Sequence, residues 1–265
     1  MNLRDIPQAA AALLRREAPA APAVPLAHTL RGLATLLAYP DAEQRLAIPS
    51  LREWVDADAR LAEDRDGLHA LLDAIEGPGG DDVDAVLDAE AAYVDTFDRG
   101  RSTSLNLFEH VHGDSRDRGQ AMVDLLQMYE KAGIELQASD LPDYLPAFLE
   151  YASLVDEAEA RKSLADIGHI LESIGSGLAR RGSPYAAVFL PLLRLAGERD
   201  PASRIRPEGI EDDSTPAAID RAWAEEPVKF GAMTATEAAA AMSGCGSRAS
   251  APAQHTIQII RRKQS

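Results

Sequence analysis

Residues 159–182 read EARKSLADIGHILESIGSGLARRG. Leu164, Ile167, Ile170, Leu171, Ile174 and Leu178 recur every three or four positions, the spacing that places side chains on one face of an α-helix. A strand would alternate every second residue, and no such alternation is present. Gly182 closes the stretch, as glycine commonly does just past a helix end. The spacing predicts a helix here, lying with one apolar stripe against a core.

The same period runs outward in both directions. HTLRGLATLLAYP (residues 28–40) sets Leu30, Leu33, Leu36 and Leu37 on one stripe and stops at Pro40. A second helix is predicted over Ala42–Leu61, and a third in GLHALLDAIEGPGG, ended by its Gly/Pro cluster. DDVDAVLDAEAAYVDTFDRG opens with acids, as helix N-termini prefer, and Val83, Val86, Leu87, Ala91, Val94 and Phe97 are read as its core stripe. GQAMVDLLQMYEKAG is closed by Gly133. SDLPDYLPAFLEYASLV is read with Asp140 as N-cap, Pro142 in the first turn and a start distorted by Pro146. SPYAAVFLPLLRLAG is read with Ser183 as cap and Pro184 at the first position. With aromatics at 5% and few β-branched runs, a sandwich or barrel is disfavoured. The expectation is an all-α protein: one helical-bundle domain over residues 28–197, preceded by an Ala/Pro-rich flexible extension (1–27). A polar extension with one short helix near Pro216–Ala224 (198–230) and a loosely structured tail (231–265) follow it.

Bulk properties narrow the function. A formal net charge of −16 is the opposite of a nucleic-acid footprint. The single cysteine, Cys245, excludes a disulfide framework or a multi-cysteine metal site and suits a reducing compartment. The N-terminus lacks the order of a secretory signal, and no stretch reaches the roughly 20 apolar residues of a membrane span. A cytoplasmic protein without nucleic-acid binding or membrane insertion is expected.

Polar chemistry concentrates in LFEHVHGDSRDRGQAM, residues 107–122. On a helix His110 and His112 would point about 200° apart and could not share an ion. Glu109 and His112 form a Glu-x-x-His pair, but the second such pair and the extra glutamates of a di-iron bundle are missing. No nucleophile elbow, phosphate loop or dinucleotide fingerprint is present. A metal-dependent hydrolase using Glu109, His110 and His112 is therefore the weaker reading. Two others stand side by side. Asp98, Arg99, Arg101, Asp114, Arg116, Asp117 and Arg118 alternate in sign and could brace a bend through Arg–carboxylate pairs. Phe108 and the histidines could instead form a recognition surface.

The block YVDTFDRGRSTSLNLFEHVHGDSRDRGQAMVDLLQMYEKAG (93–133), with LPDYLPAFLEY (141–151), LLAYPDAE (36–43) and AWAEEPVKF (222–230), closely resembles the nitrate reductase molybdenum cofactor assembly chaperones, within the wider TorD/DmsD redox-enzyme maturation family. The resemblance covers about residues 30–230. It implies a TorD-like helical chaperone without catalytic activity or a cofactor of its own. Such a chaperone binds the N-terminal segment of the apo nitrate reductase α subunit, holds it for insertion of the molybdenum cofactor and an iron–sulfur cluster, and delays membrane docking. A permanent scaffold subunit of a redox complex is the neighbouring alternative. The family's acidic-x-Pro-Asp-His/Tyr motif falls on Asp140, Pro142, Asp143 and Tyr144, with Asp where Glu is usual and Tyr where His is frequent. The peptide-binding residues expected on this basis are Phe108, Glu109, His110, His112, Asp143 and Tyr144. No function is assigned to the residues before His28 or after Phe230.

Overall fold

The computed structural model describes residues 24–78, 83–111, 117–136, 141–209 and 213–222. Eleven α-helices form among them: α1 (Leu26–Leu37), α2 (Ala42–Ala57), α3 (Arg65–Glu76), α4 (Val83–Phe97), α5 (Asp117–Lys131), α6 (Leu145–Ala152), α7 (Glu157–Asp166), α8 (Gly168–Arg180), α9 (Ala186–Leu195), α10 (Pro201–Arg204) and α11 (Pro216–Ala222). Short 3₁₀ turns at Ala59–Leu61, Arg101–Thr103 and Leu107–Glu109 complete the described structure, with no strand among the described residues.

The centre is α1 against α6 and α8 against α9, with α7 bridging α6 and α9. The α1 stripe is buried as predicted, with Leu30, Leu33, Leu36 and Leu37 fully out of water. Leu164, Ile170, Leu171, Ile174 and Leu178 join the same core, with Ile167 packed at its edge. The fold class expected from periodicity is therefore the one observed.

The helix expected over Ala42–Leu61 ends at Ala57, with a 3₁₀ turn following, and four further departures concern other helices. The 159–182 stretch is not one helix: it breaks at Ile167, where ψ moves to 7°, and restarts at Gly168. Glycine at 168 weakens the helix there. The break lets α7 lie on α6 and α9 while α8 runs on between α9 and the 101–103 turn. There Gly177 is required by close approach, because a Cβ would sit 2.6 Å from the Ser102 carbonyl oxygen.

Helix α6 starts at Leu145, with Pro146 in its first turn, so Pro142 lies ahead of the helix in a turn. Asp140, the expected cap, is outside the described residues. Ser183 does not cap α9; its hydroxyl is buried without a partner, and the helix is entered through a turn in which Ala186 N–H donates to the Ser183 carbonyl at 3.1 Å.

The fourth correction is the face of α4. Ala85, Ala89, Tyr93 and Phe97 are buried, whereas Val83, Leu87 and Val94 are 69%, 55% and 40% exposed. Two alanines in the first turns bring α4 close to α3, and the aromatic pair then fills the wider gap near its C-terminus. The valine–leucine stripe is left facing outward.

The described part of the C-terminal extension is fastened to the bundle. Ile205 packs on the core beside Gly175 and Phe189, and Arg206 N–H donates to the Ser176 hydroxyl at 2.8 Å. Asp213 accepts from the Ser102 amide (2.7 Å) and hydroxyl (2.6 Å) and from the Arg181 guanidinium (2.9 Å). Helix α11 forms where a short helix was expected.

Candidate recognition site

Two segments widely separated in sequence build the site. Asn106 and Tyr144 form an antiparallel bridge; Leu107 N–H donates to the Asp143 carbonyl at 2.9 Å, and Leu145 N–H to the Leu105 carbonyl at 2.8 Å. The Pro142–Asp143–Tyr144 turn and the Leu105–Glu109 segment are thus one unit. From below, the Tyr129 hydroxyl of α5 donates to the Pro142 carbonyl at 2.7 Å.

Asp143 is the buried centre of that unit. Its side chain is fully removed from solvent, Oδ2 accepts from Phe108 N–H at 3.1 Å, and the Arg118 guanidinium stands 3.9 Å away. Oδ1 has no hydrogen-bond partner. Burial pushes this carboxyl above the usual carboxylate range, and the Phe108 amide and Arg118 only partly pull it back. Asp143 therefore holds the 107–109 turn from within and is not presented to a ligand.

His110 is likewise inward-facing. Its Nε2 lies 2.9 Å from the Ser104 carbonyl, an acceptor, so Nε2 carries the proton. Burial lowers its pKa, leaving a neutral ring near pH 7 that braces the loop. Glu109 is half-buried, and its carboxylate receives a 3.5 Å contact from the Asn106 amide.

Above this unit opens a cavity of about 250 Å³. Tyr39, Tyr93, Val94 and Phe97 form its apolar side; Leu105, Asn106 and Tyr144 contribute the paired segments; Asp98 and Ser104 add polar groups. In the aromatic wall Tyr39 packs edge to face on Tyr93 at 5.4 Å, and Tyr93 lies tilted against Phe97 at 4.7 Å. Tyr93 donates its hydroxyl hydrogen to the Leu37 carbonyl at 2.9 Å, so Tyr144, 3.0 Å away, is the donor to Tyr93. Burial pushes the Tyr93 hydroxyl well up, with Tyr144 adding to the effect, so Tyr93 keeps its proton. At the rim, burial and then Glu109 raise the Asp98 carboxyl.

Of the residues singled out from sequence, Tyr144 lines the cavity, Asp143 and His110 support it from inside, and Phe108 and Glu109 sit half-buried on the adjoining turn. His112, Asp114 and Arg116 lie outside the described residues, and Asp117 opens α5. Of the charged residues expected to brace the bend, side chains are described for Asp98, Arg99, Arg101 and Arg118. Arg99 pairs with Asp95 one helical turn away, Arg118 with Asp143, and Arg101 is exposed at the start of the 101–103 turn. Among the described residues no three His, Cys, Asp or Glu side chains are arranged as a metal set. Tyr39, Tyr93, Val94 and Phe97 were not anticipated as lining residues. Their signal was the aromatic pair at i, i+4 in α4, which reads equally as ordinary core. The Asp213 clasp had no local signal, since its partners are more than 30 residues away.

The structure thus defines an all-α bundle whose most elaborate polar unit supports an open, aromatic-walled cavity. The sequence family described as nitrate reductase delta subunit matches residues 56–190. The chain is 44% identical over 198 residues to the nitrate reductase molybdenum cofactor assembly chaperone NarJ of Escherichia coli K12, covering 74% of this chain and 81% of that protein. It is 41% identical over 209 residues to the probable assembly chaperone NarW of the same strain, covering 76% and 83%. A putative redox enzyme maturation protein from Archaeoglobus fulgidus superposes with a TM-score of 0.45 at 15% identity, covering 69% of this chain and all of that one. The chain belongs to the nitrate reductase delta subunit family, and its resemblance to the nitrate reductase assembly chaperones is borne out. Among the described residues no helix is long and apolar enough to cross a membrane.

Proposed function

We propose that this protein is a cytoplasmic assembly chaperone for respiratory nitrate reductase. It holds the apo α subunit by its N-terminal segment while the molybdenum cofactor and an iron–sulfur cluster are inserted, and it is not itself a catalyst. The observation that carries the reading is the convergence of two segments quoted for the family resemblance on one open cavity, through Leu105, Asn106 and Tyr144. A chain of this kinship that builds its pairing around a cavity has the means to recognise another chain. The aromatic wall offers rigid apolar anchor sites, and Asp98 in the lining with Glu109 on the adjoining turn favours a cationic neighbour. An amphipathic basic segment meets both demands.

The similarity to proteins named assembly chaperones supports this reading over the hydrolase alternative. Isothermal titration of a synthetic peptide of the α-subunit N-terminus tests the proposal. Binding weakened at least tenfold by Val94→Glu, with the melting temperature kept, is the expected result. Binding equal in wild type and variant removes the cavity from the client site, and absence of binding by wild type removes the peptide reading altogether. Recovery of the protein with apo-α subunit but not with assembled membrane enzyme separates a chaperone from a permanent scaffold subunit.

A further inference from the structure

The outward stripe of α4 lacks a partner in the described bundle. Val83, Leu87 and Val94 lie within about 40° of one another around the helix axis and span about 16 Å along it. Val94 is also a cavity wall, so the stripe runs directly into the aromatic pocket. Asp84 and Asp88 flank this track on α4, Glu90 lies on it between Leu87 and Val94, and Asp98 stands at the cavity end near Glu109. On the pocket's apolar side, burial and then the nearby Glu90 carboxylate raise the Tyr39 hydroxyl above its usual range.

One segment of the chain outside the described residues has the complementary chemistry. Residues 255–263 read HTIQIIRRK: three isoleucines followed at once by three cations. Residues 231–265 contain one acid, Glu237, against Arg248, Arg261, Arg262 and Lys263, a net +3, which leaves the remaining residues at −19. Between Ala222 and Ile257 lie 34 residues, which can span up to about 110 Å, well beyond the width of a domain of this size.

We propose that residues 255–263 of the same chain occupy the α4 stripe and its cavity when no client is present. Ile257, Ile259 and Ile260 cover Val83, Leu87 and Val94, and Arg261 and Arg262 meet the rim carboxylates Asp98 and Glu109. The tail then acts as an internal competitor at the client site, an inference that rests on the client reading above. Tethering of this length gives an effective concentration of roughly a millimolar. A tail of weak intrinsic affinity, with a dissociation constant of about 0.1–1 mM, then lowers apparent client affinity about 2–10-fold. Such a contact keeps an apolar stripe out of water until a client displaces the tail.

The test uses the full-length protein with isoleucine methyl groups labelled for NMR. Val94→Glu and Asp98→Lys, both partly exposed positions, disrupt the groove; the double variant Arg261→Glu, Arg262→Glu disrupts the tail. The expected result is that the Ile257, Ile259 and Ile260 methyl signals shift in the groove variants, independently of protein concentration. In addition, the tail variant binds the α-subunit peptide about 2–10-fold more tightly than wild type. Tail signals identical in wild type and groove variants overturn the proposal. Shifts that vanish on dilution also overturn it, because the occupant is then a second copy. If the tail signals respond but the α-subunit peptide binds neither wild type nor tail variant, the client reading falls while tail docking stands.

Discussion

Replacing Asp143 separates the two things its carboxylate does: satisfying the Phe108 amide and placing a charge in a dry site. Asp143→Ala deletes the 3.1 Å acceptor of the partly buried Phe108 amide and leaves a small void. An unsatisfied buried donor costs about 1–3 kcal/mol. For a domain of this size that is a fall in Tm of about 2–12 °C. Asp143→Asn keeps an oxygen for the amide and removes the buried charge, while losing the longer-range attraction to Arg118 at 3.9 Å. These effects oppose each other, so the asparagine variant is expected within about 1 kcal/mol of wild type at pH 7.

The pH dependence gives a second handle. The folded-state pKa is raised above the usual value of 3.8, so the folded protein holds this proton more tightly than the unfolded chain does. The Asp143 contribution therefore destabilises at neutral pH and is relieved as pH falls through the folded pKa toward 3.8. Wild type should gain stability relative to Asp143→Asn on acidification from pH 7 to 4. Urea titrations of the three proteins at several pH values provide the assay. Equal loss for Asn and Ala, or a wild-type/Asn difference that does not change with pH, would refute the reasoning.

Gly177→Ala should destabilise by about 1–3 kcal/mol, because its Cβ would press on the backbone oxygen of Ser102 and backbone cannot swing aside; chemical denaturation reads this. Leu33→Ala, in the solvent-free core of α1, should lose about 2–5 kcal/mol, and a loss below 1 would show that the site collapses freely. Asp213→Ala should raise amide hydrogen exchange in residues 205–213 while leaving α1 and α6 unchanged. Burial alone would raise the Asp213 carboxyl, but the Ser102 hydroxyl and amide and Arg181 outweigh it and hold it below 3.8. Its stabilisation is therefore present above about pH 4 and lost as pH falls through that lower value, so acid should release the segment in wild type and change little in the variant.

Much of the fold was legible because helix periodicity is local. The leucines of α1 and the isoleucines of α8 declare their buried faces from their own spacing, whatever packs on them. Helix α4 shows where that stops. It carries two apolar faces, Ala85–Ala89–Tyr93–Phe97 and Val83–Leu87–Val94, and hydrophobicity alone favours the wrong one. Close approach of α3 to the alanines, and the room near α1's end for stacked aromatics, decide between them. Likewise the stripe in 159–182 predicted burial correctly but not the break at Ile167, since either a straight or a broken helix keeps those side chains inward.

The candidate site divides in the same way. The sequence by itself determined an acidic, all-helical chain of this family and placed Asp143, Tyr144, Phe108, Glu109 and His110 among its telling residues, because composition, period and family motifs are properties of short segments. Only the tertiary structure decided that Asp143 and His110 face inward as braces, that Tyr144 lines the cavity, and that Tyr39, Tyr93, Val94 and Phe97 complete it. Those assignments depend on the Asn106–Tyr144 pairing and on which face of α4 is covered. Contacts across tens of residues are set by packing of the whole bundle and leave no mark in local spacing.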